Sequence, residues 1–249
     1  MTPYYEDDHV TIIHGDCRDV LPSLGTARFG ISVTSPPYNM GLTPGGNGRG
    51  LYKHSTQKAS RFGAGYDASS DDLAPDEYAS FHRWVLAELW RLTTHAVFWN
   101  HRPRIIHGHH TEPLDGDFGL PLRQRIVLDR GTGIDVNLRH FCTRGEYLYL
   151  FAHDDFRLVD HAASGMGDVW RVGIETGVDH PAPFPLIVPA RCIAATGATS
   201  VLDPFMGSGS TLRAAKDAGV RAVGIELSER YCEIAAKRMN QEVLDFASG

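Results

Sequence analysis

The sequence lacks long apolar runs, paired cysteines and an excess of positive charge, and each absence excludes a class of protein. Hydrophobic residues make up 42% of the 249 residues, yet no uninterrupted apolar stretch approaches the roughly 20 residues that a membrane helix needs. No signal peptide opens the chain. The four cysteines are scattered without a C-x-x-C pair, which favours a reducing cytoplasm over a disulfide framework. The net charge of −6 excludes an overall basic surface, so we expect a cytoplasmic protein without a membrane partner.

Acidic residues are also missing from one long internal segment, between Asn39 and Tyr66. Seven glycines lie in this segment, together with four cations, which are Arg49, Lys53, Lys58 and Arg61. The segment is too long for an ordinary connection, so it predicts either a functional lid or a disordered segment.

Strand and helix patterns alternate through the rest of the chain. Short apolar, β-branched runs predict strands at residues 10–14, 29–33, 96–99, 124–128, 146–151, 200–202 and 221–225. Periodic apolar residues predict helices up to about residue 24 and at 75–92, 184–195, 210–218 and 229–243. The alternation indicates an α/β fold with a doubly wound, mostly parallel sheet, in a single domain over residues 1–249. Residues 152–179 have no clear period and are a candidate recognition insert.

A rigid turn follows the strand predicted at residues 29–33, and its sequence is Thr34-Ser35-Pro36-Pro37-Tyr38. Proline removes a donor from the strand ladder and restricts the residue before it, so the strand is expected to end there. The turn places the Ser35 hydroxyl, the Pro36 carbonyl and the Tyr38 ring at the carboxyl end of a strand, where open α/β sheets bind ligands. A stiff strand exit with Tyr38 packed in the core is the alternative interpretation.

A second motif extends from Val201 to Thr211 and reads Val-Leu-Asp-Pro-Phe-Met-Gly-Ser-Gly-Ser-Thr. Gly207 and Gly209 let the backbone approach a ligand closely, and the N–H groups at the start of the following helix favour an anionic group. Glu226 ends the next predicted strand, where an acid typically binds ribose hydroxyls. The third glycine of a dinucleotide fingerprint is missing, so the pattern favours a nucleoside ligand and disfavours a nicotinamide oxidoreductase.

Together the two motifs and Glu226 resemble the S-adenosylmethionine-dependent DNA amino-methyltransferases, over nearly the whole chain. The catalytic motif precedes the cofactor motif, as in the circularly permuted beta group of that family. The resemblance also covers residues 15–17, which match the adenine-contacting turn, and residues 168–170 and 180–185, which match the segment before the cofactor loop. It implies a Rossmann-like methyltransferase sheet with a small DNA-recognition insert. It also implies a site-specific enzyme that methylates the exocyclic amine of a flipped base in double-stranded DNA.

The resemblance assigns roles to particular residues. In the catalytic turn of Ser35, Pro36, Pro37 and Tyr38, the serine hydroxyl and the Pro36 carbonyl accept from the base amine, and Tyr38 stacks on the base. The residues expected around S-adenosyl-L-methionine are Asp16, Cys17, His180, Phe184, Pro185, Asp203, Pro204, Phe205, Gly207, Gly209, Ser210, Thr211, Glu226 and Leu227.

The identity of the methylated base is open between two amines. In the family, serine before Pro-Pro more often accompanies N4 of cytosine, and aspartate or asparagine accompanies N6 of adenine, so we favour cytosine. Methylation at carbon 5 requires a cysteine nucleophile, typically after proline, and none of the four cysteines follows proline. A catalytically silent subunit that binds cofactor and DNA is a further alternative, against which the intact catalytic turn argues. Glutamine methyltransferases carry a similar Pro-Pro-Tyr motif, but with the cofactor loop first.

DNA contacts are expected from two regions. The first is a mobile DNA-binding loop at about 39–75, whose four cations are Arg49, Lys53, Lys58 and Arg61. The second is a target-recognition region within about 101–180, which includes Arg102 and Arg104. The histidines at 101, 107, 109 and 110 fit no zinc spacing, so they predict a solvated loop partly facing phosphates, and no metal is expected. The recognition region is short, which suits either a short target or a homodimer on a palindrome.

Overall fold

The strands of the chain assemble mainly into one large sheet. The computed structural model describes residues 2–25, 29–39, 73–106, 108–131, 138, 140–173 and 184–241. In chain order the strands are β1 (Tyr5–Glu6), β2 (Val10–His14), β3 (Phe29–Thr34), β4 (Thr93–His101), β5 (Arg104–Ile106), β6 (His109–Thr111), β7 (Leu122–Asp129), β8 (Gly145–Ala152), β9 (Val169–Arg171), β10 (Ser200–Asp203) and β11 (Arg221–Glu226). The helices are α1 (Cys17–Ser23), α2 (Pro75–Leu92), α3 (His161–Gly165), α4 (Ile187–Thr196), α5 (Ser210–Asp217) and α6 (Glu229–Met239).

The large sheet has the strand order β1-β2-β11-β10-β3-β4-β8-β7-β9. The five strands from β2 to β4 in this order are parallel to one another, whereas β8 runs antiparallel to both β4 and β7. Parallel neighbours end at the same edge of a sheet, so the carboxyl ends of these five strands form one edge. A separate hairpin of β5 and β6 follows β4.

Both faces of the sheet are buried under helices. One face packs against α4, α5 and α6 through side chains such as Val188, Leu212 and Cys232. The other face packs against α1 and α2 through side chains such as Leu21 and Leu89. Strands covered on both faces are expected to be continuously buried, which explains why β3 and β10 lack a polar alternation. The predicted doubly wound α/β class is therefore confirmed.

The predicted elements agree with the structure in type and differ at their ends. The helix predicted at 184–195 begins only at Ile187, because Pro189 offers no N–H and fits only within the first turn. The last helix ends at Met239, short of the predicted residue 243, which lies outside the described residues. The strands β1, β5, β6 and β9 have no counterpart among the predicted strands, since strands of two or three residues carry no measurable period.

The turn predicted for the polar residues after Trp99 differs more from the structure. The sequence predicts that His101 lies in a solvated turn, but Asn100 and His101 form the end of β4 and are 0% and 3% exposed. The Asn100 side chain donates a hydrogen bond to the Tyr147 carbonyl and the His101 ring accepts the Arg102 N–H, which compensates for the loss of solvent at this position. His109 and His110 are exposed in β6, whereas position 107 lies outside the described residues. No helix within the described ranges is both long and apolar enough to cross a membrane.

Candidate functional site

The two sequence motifs meet at the carboxyl edge of the sheet, although they are far apart in the chain. They follow β3 and β10, which are adjacent parallel strands. The Thr34 hydroxyl donates a hydrogen bond to Oδ1 of Asp203 at 2.7 Å, and the Thr211 hydroxyl donates to the Val33 carbonyl at 3.3 Å. The catalytic turn and the glycine loop are thereby joined by direct contacts.

Asp203 lies buried at the centre of this junction. Its side chain is 2% exposed, and its Oδ1 also accepts the backbone N–H of Phe205 at 3.0 Å. Burial raises the pKa of the Asp203 carboxyl to about 6, although hydrogen bonds from Thr34 and Phe205 and the nearby Thr211 hydroxyl oppose the shift. The carboxyl therefore holds the loop after β10 in place, and its ionised form is disfavoured by the lack of solvent.

The glycine loop requires small residues for two reasons. Gly207 and Gly209 have φ angles of 52° and 82°, in the left-handed region that other residues rarely adopt. A Cβ atom at Gly209 would also lie 3.0 Å from the Cβ of Ala235 in α6. α5 begins immediately afterwards, so its first N–H groups point toward the carboxyl edge, where they favour an anion.

Ser210 and Thr211, which are expected at the cofactor, have their hydroxyls engaged with protein groups. Both residues are buried, and the Ser210 hydroxyl accepts a hydrogen bond from Nη1 of Arg238 at 3.2 Å. The Thr211 hydroxyl donates to the Val33 carbonyl, as described above. Because both side chains are buried, we expect a ligand to meet these residues through the backbone N–H groups at the start of α5.

Glu226 ends β11, the strand next to β10. Its carboxylate links the glycine loop to the turn after β11 through hydrogen bonds. Its Oε2 accepts the N–H of Gly207 at 3.0 Å, and its Oε1 accepts the N–H of Ser228 at 2.9 Å. Burial raises the pKa of the Glu226 carboxyl, while these two N–H groups lower it. A carboxylate oxygen has two lone pairs, so each oxygen keeps a lone pair for a further donor. Leu227, the next residue, is 36% exposed.

The end of β2 lies beside Glu226, because the N–H of Gly15 donates to the Glu226 carbonyl at 2.9 Å. Asp16 caps α1 by accepting the N–H of Arg18 at 2.8 Å, and it also pairs with the Arg18 guanidinium, which holds the pKa of Asp16 below its usual value. Cys17 is buried, and burial raises the pKa of its thiol to about 12. The thiol is therefore protonated at neutral pH.

The side chains of the catalytic turn converge on Asn100 at the end of β4. The Asn100 Oδ1 lies 3.1 Å from the Ser35 hydroxyl and 2.6 Å from the Tyr38 hydroxyl. The two hydroxyls are 3.2 Å apart. Glu146 at the start of β8 is also near, with its Oε2 at 3.5 Å from the Tyr38 hydroxyl and 2.8 Å from Nη2 of Arg130.

The backbone of the turn is held by a second set of groups. The Tyr78 hydroxyl from α2 donates to the Pro37 carbonyl at 3.0 Å and lies 2.5 Å from Nε2 of His101. The Tyr38 ring packs against the His101 ring with centroids 4.7 Å apart. Burial lowers the pKa of His101 well below its usual value, so the ring is neutral.

The remaining predicted residues are more scattered. Phe205 is half-buried and packs edge-on against Phe81 of α2, at 6.1 Å between ring centroids, and Pro204 is buried beside it. Phe184 is partly buried against the core cluster that includes Val188, and Pro185 is buried just before α4. Arg102 and Arg104 follow β4 and are half-buried. His180, Arg49, Lys53, Lys58 and Arg61 lie outside the described residues.

Sequence reasoning misses four side chains of the site, which are Tyr78, Asn100, His101 and Glu146. The signal available for Asn100 and His101 is their position at the end of a predicted strand, since polar residues there face the ligand edge. Tyr78 and Glu146 reach the site only through tertiary packing. Within the described residues, no group of three or more His, Cys, Asp or Glu side chains could hold a metal ion.

A family model for DNA methylases matches residues 30–237, a range that includes both motifs. The chain belongs to the DNA methylase family. As a member of that family it is a methyltransferase, and two Type II methyltransferases resemble it over most of their length. M.ScaI of Streptomyces caespitosus is 26% identical over 288 residues, which cover 96% of this chain and 84% of the relative. M.SmaI of Serratia marcescens is 26% identical over 276 residues, which cover 92% and 90% of the two chains.

Solved structures share the fold of this DNA methylase. TTHA0409 of Thermus thermophilus, in complex with S-adenosyl-L-methionine, superposes with a TM-score of 0.65 at 21% identity, over 96% of this chain and 95% of the other. The cytosine-N4-specific PvuII DNA methyltransferase superposes with a TM-score of 0.68 at 15% identity, over 96% and 89%. At these identities the similarity establishes the fold of the methylase.

Proposed function

We propose that this DNA methylase is a site-specific enzyme that methylates N4 of a cytosine base extruded from double-stranded DNA. The observation that carries the proposal is the hydrogen bond between Thr34 and Asp203, which brings the catalytic turn beside the glycine loop. N6 of adenine is the alternative target. The catalytic turn precedes the glycine loop in the chain, and this order supports membership of the circularly permuted group.

The methyl donor is S-adenosyl-L-methionine, and the residues at the carboxyl edge fit it. Each oxygen of Glu226 accepts one backbone N–H and retains a lone pair, so the carboxylate suits the two hydroxyls of a ribose. Gly207 and Gly209 present backbone without side chains, and the start of α5 suits the donor's carboxylate. Asp16 and the backbone of Cys17 follow β2, the strand next to β11, and they suit the adenine of the donor. When bound, the donor supplies an electrophilic methyl group on a sulfonium.

The catalytic turn supplies the groups that an exocyclic amine needs. Such an amine is a weak nucleophile, because its lone pair is delocalised into the base. Acceptors on its N–H groups localise the lone pair and stabilise the positive charge that develops on nitrogen. In our proposal the Ser35 hydroxyl and the Pro36 carbonyl are these acceptors, and the Tyr38 ring stacks on the base. Stacking contributes about 1–3 kcal/mol, which offsets much of the few kcal/mol that base extrusion requires.

The preference for cytosine rests on Ser35. In the family that the sequence resembles, serine at this position more often accompanies N4 of cytosine. The PvuII enzyme, whose fold this chain shares, is cytosine-N4-specific. An adenine amine would meet the same two acceptors, so the choice between the bases depends on the pocket that surrounds them.

DNA binding is proposed for the cationic segment and for the region after β4. The four cations between 49 and 61 lie in the predicted loop at about 39–75 and would contact phosphates, as would Arg102 and Arg104. Target recognition is assigned to about 101–180 of the single domain. The Type II relatives support a role in restriction and modification, and a homodimer would suit a palindromic target.

The proposal is tested by incubating the protein with donor carrying a labelled methyl group and with unmethylated genomic DNA of high sequence complexity. Mass analysis of the digested nucleosides identifies the product, and N4-methylcytosine is expected. N6-methyladenine would move the assignment to the alternative base. Donor binding without any methylated nucleoside would instead support the silent subunit and would refute the proposed activity.

Variants test the roles in the turn. Ser35→Ala should slow transfer about 10- to 150-fold, since a hydrogen bond to a developing charge is worth about 1.5–3 kcal/mol. Tyr38→Ala should slow it about 5- to 150-fold through lost stacking. Both variants should bind the donor as the wild type does. Ser80→Ala, at an exposed serine of α2, is the matched control. A loss of donor affinity with unchanged turnover of bound donor would contradict these roles.

A further inference from the structure

The amide of Asn100 has a defined orientation. Its Nδ2 donates to the Tyr147 carbonyl of β8 at 3.1 Å. A backbone carbonyl only accepts hydrogen bonds, so the NH2 group must face Tyr147 and the Oδ1 atom must face the catalytic turn. Asn100 is 0% exposed, and no rotation of its amide would satisfy the same partners. The turn therefore faces an acceptor that has no hydrogen to donate.

This orientation determines where the hydroxyl hydrogens of the turn point. Ser35 and Tyr38 both donate toward Oδ1 of Asn100, at 3.1 and 2.6 Å. If Ser35 instead donates to the Tyr38 oxygen at 3.2 Å, its hydrogen again points into the protein. The carboxylate of Glu146, held by Arg130, adds a second pure acceptor on the same side. In each of these arrangements the Ser35 oxygen keeps a lone pair for another donor.

The backbone of the turn is oriented by the next residue of β4. Nδ1 of His101 lies 2.7 Å from the N–H nitrogen of Arg102 and 3.0 Å from the Arg102 carbonyl oxygen, and we assign the tautomer in which Nδ1 accepts from the N–H and the hydrogen of the neutral ring is on Nε2. Nε2–H then donates to the Tyr78 oxygen at 2.5 Å, and the Tyr78 hydroxyl donates to the Pro37 carbonyl at 3.0 Å. The hydrogen bonds run in one direction, from the end of β4 to the Pro37 carbonyl.

We propose that Asn100 and His101 are positioning residues of the methyl-transfer reaction. Asn100 takes the hydroxyl hydrogen of Ser35, so that Ser35 acts on the base amine purely as an acceptor. His101, through Tyr78, fixes the Pro37 carbonyl and thereby the backbone of the turn that carries the Pro36 carbonyl. The inference rests on the proposed function, because it presupposes that Ser35 accepts from an exocyclic amine.

The physical reason lies in the difference between serine and a carboxylate. A carboxylate has only acceptors, whereas a serine hydroxyl can also donate. A hydroxyl hydrogen directed at the amine nitrogen would compete for the lone pair that attacks the methyl group. A fixed acceptor behind the serine removes this arrangement. Asn100 therefore gives Ser35 the hydrogen-bonding character that an aspartate has by itself.

A double-mutant cycle tests the proposed role of Asn100. Single-turnover methylation of the unmethylated genomic DNA is measured for the wild type, Ser35→Ala, Asn100→Leu and the double variant, alongside donor affinity. Asn100→Leu should slow transfer about 10- to 100-fold while donor affinity stays within about two-fold. Adding Asn100→Leu to Ser35→Ala should cause little further loss, because Asn100 acts through Ser35. Multiplicative losses, or an Asn100→Leu enzyme with the wild-type rate, would overturn the proposal.

Asn100→Asp keeps the test valid if Asn100→Leu does not fold. An ionised aspartate has two acceptors, and a protonated one reproduces the amide's acceptor and donor, so both hydroxyls keep their partner in either state. This variant should retain transfer within about three-fold of the wild type. A loss as large as that of Ser35→Ala would overturn the proposal. A wild-type protein that methylates no DNA base would refute the proposed function, and the inference with it.

Tyr78→Phe tests the proposed role of His101. The substitution removes the hydroxyl that links His101 to the Pro37 carbonyl and leaves the ring in place. The single-turnover rate should fall about ten-fold, with donor affinity and thermal stability little changed. His101→Phe, which keeps a ring against Tyr38, should add little to the loss in Tyr78→Phe, since His101 acts on the Pro37 carbonyl through Tyr78. An unchanged rate in Tyr78→Phe, or independent losses, would remove His101 from the proposal.

Discussion

Replacing Asp203 with asparagine should stabilise the fold at neutral pH. Asp203 is 2% exposed, and Thr34 and Phe205 both donate to its Oδ1, which an asparagine oxygen can replace. The substitution removes the charge and keeps the shape. Because desolvation raises the pKa of Asp203 from 3.8 to about 6, the native state favours the protonated form that asparagine imitates.

The magnitude follows from proton linkage. A pKa of about 6 in the native state against 3.8 in the unfolded chain changes the free energy of unfolding by about 3 kcal/mol between low and high pH. The stabilising contribution of protonated Asp203 is fully present below pH 3.8 and is lost as the pH rises through about 6. The free energy of unfolding of Asp203→Asn should therefore equal that of the wild type near pH 4 and exceed it by up to about 3 kcal/mol above pH 7.

The measurement is urea unfolding of both proteins from pH 4 to pH 8, followed by tryptophan fluorescence, without donor or DNA. The difference between the two proteins isolates Asp203, since the pKa of Glu226 is also raised and contributes to both curves. A difference that does not change with pH would refute the reasoning. A wild type that is more stable than the variant at pH 8 would show that the ionised carboxylate is favoured by the fold.

Three further predictions concern packing, thiols and charge. Gly224→Ala should destabilise the fold by about 1–3 kcal/mol, because its Cβ would lie 2.5 Å from Sδ of Met206. A thiol reagent should modify Cys142 first in the native protein, since the other three cysteines are buried. Neutralising the four cations between 49 and 61 should flatten the slope of log affinity for DNA against log salt by about 3.6.

Each of these predictions has its own control or contradicting result. Gly165→Ala is the control for Gly224, because nothing lies within 4 Å of the added Cβ, and equal effects of both would refute the packing argument. Rapid modification of a second thiol would contradict the assigned burial. Equal salt slopes for the wild type and the neutralised variant would show that the cations do not contact phosphates.

The sequence predicts the long elements well, because their signals are local. Apolar runs bounded by glycine and proline mark β3 and β10, and the periodic apolar face of Val85 and Leu89 marks α2. Strand order is not local, since it depends on which crossovers bury both faces of the sheet. The adjacency of β3 and β10 could therefore be expected only from the resemblance, and the structure supplies the contacts that establish it.

The residues of the candidate site also fall into two groups, those with a local sequence signal and those recognised only through their tertiary contacts. The Asp203 loop and the Pro-Pro turn have strong sequence signals, because prolines and closely spaced glycines constrain the backbone wherever they occur. Asn100 and His101 have the composition of a solvated turn. Their partners are the Tyr147 carbonyl, the Arg102 N–H and the Tyr78 hydroxyl, and two of these belong to other elements. A buried polar residue is recognised by its partners, which only the tertiary structure supplies.

The catalytic turn is held from both neighbouring strands, and the two attachments should have separable effects. On one side, Thr34 binds Asp203, which also holds the glycine loop through Phe205. On the other side, the Asn100 amide bonds to the hydroxyls of the turn and to β8. Perturbing the Asp203 side should therefore change donor binding and transfer together. Perturbing the Asn100 side should change transfer alone, because these hydrogen bonds of the amide lead to the turn and to β8 and not to the donor loop.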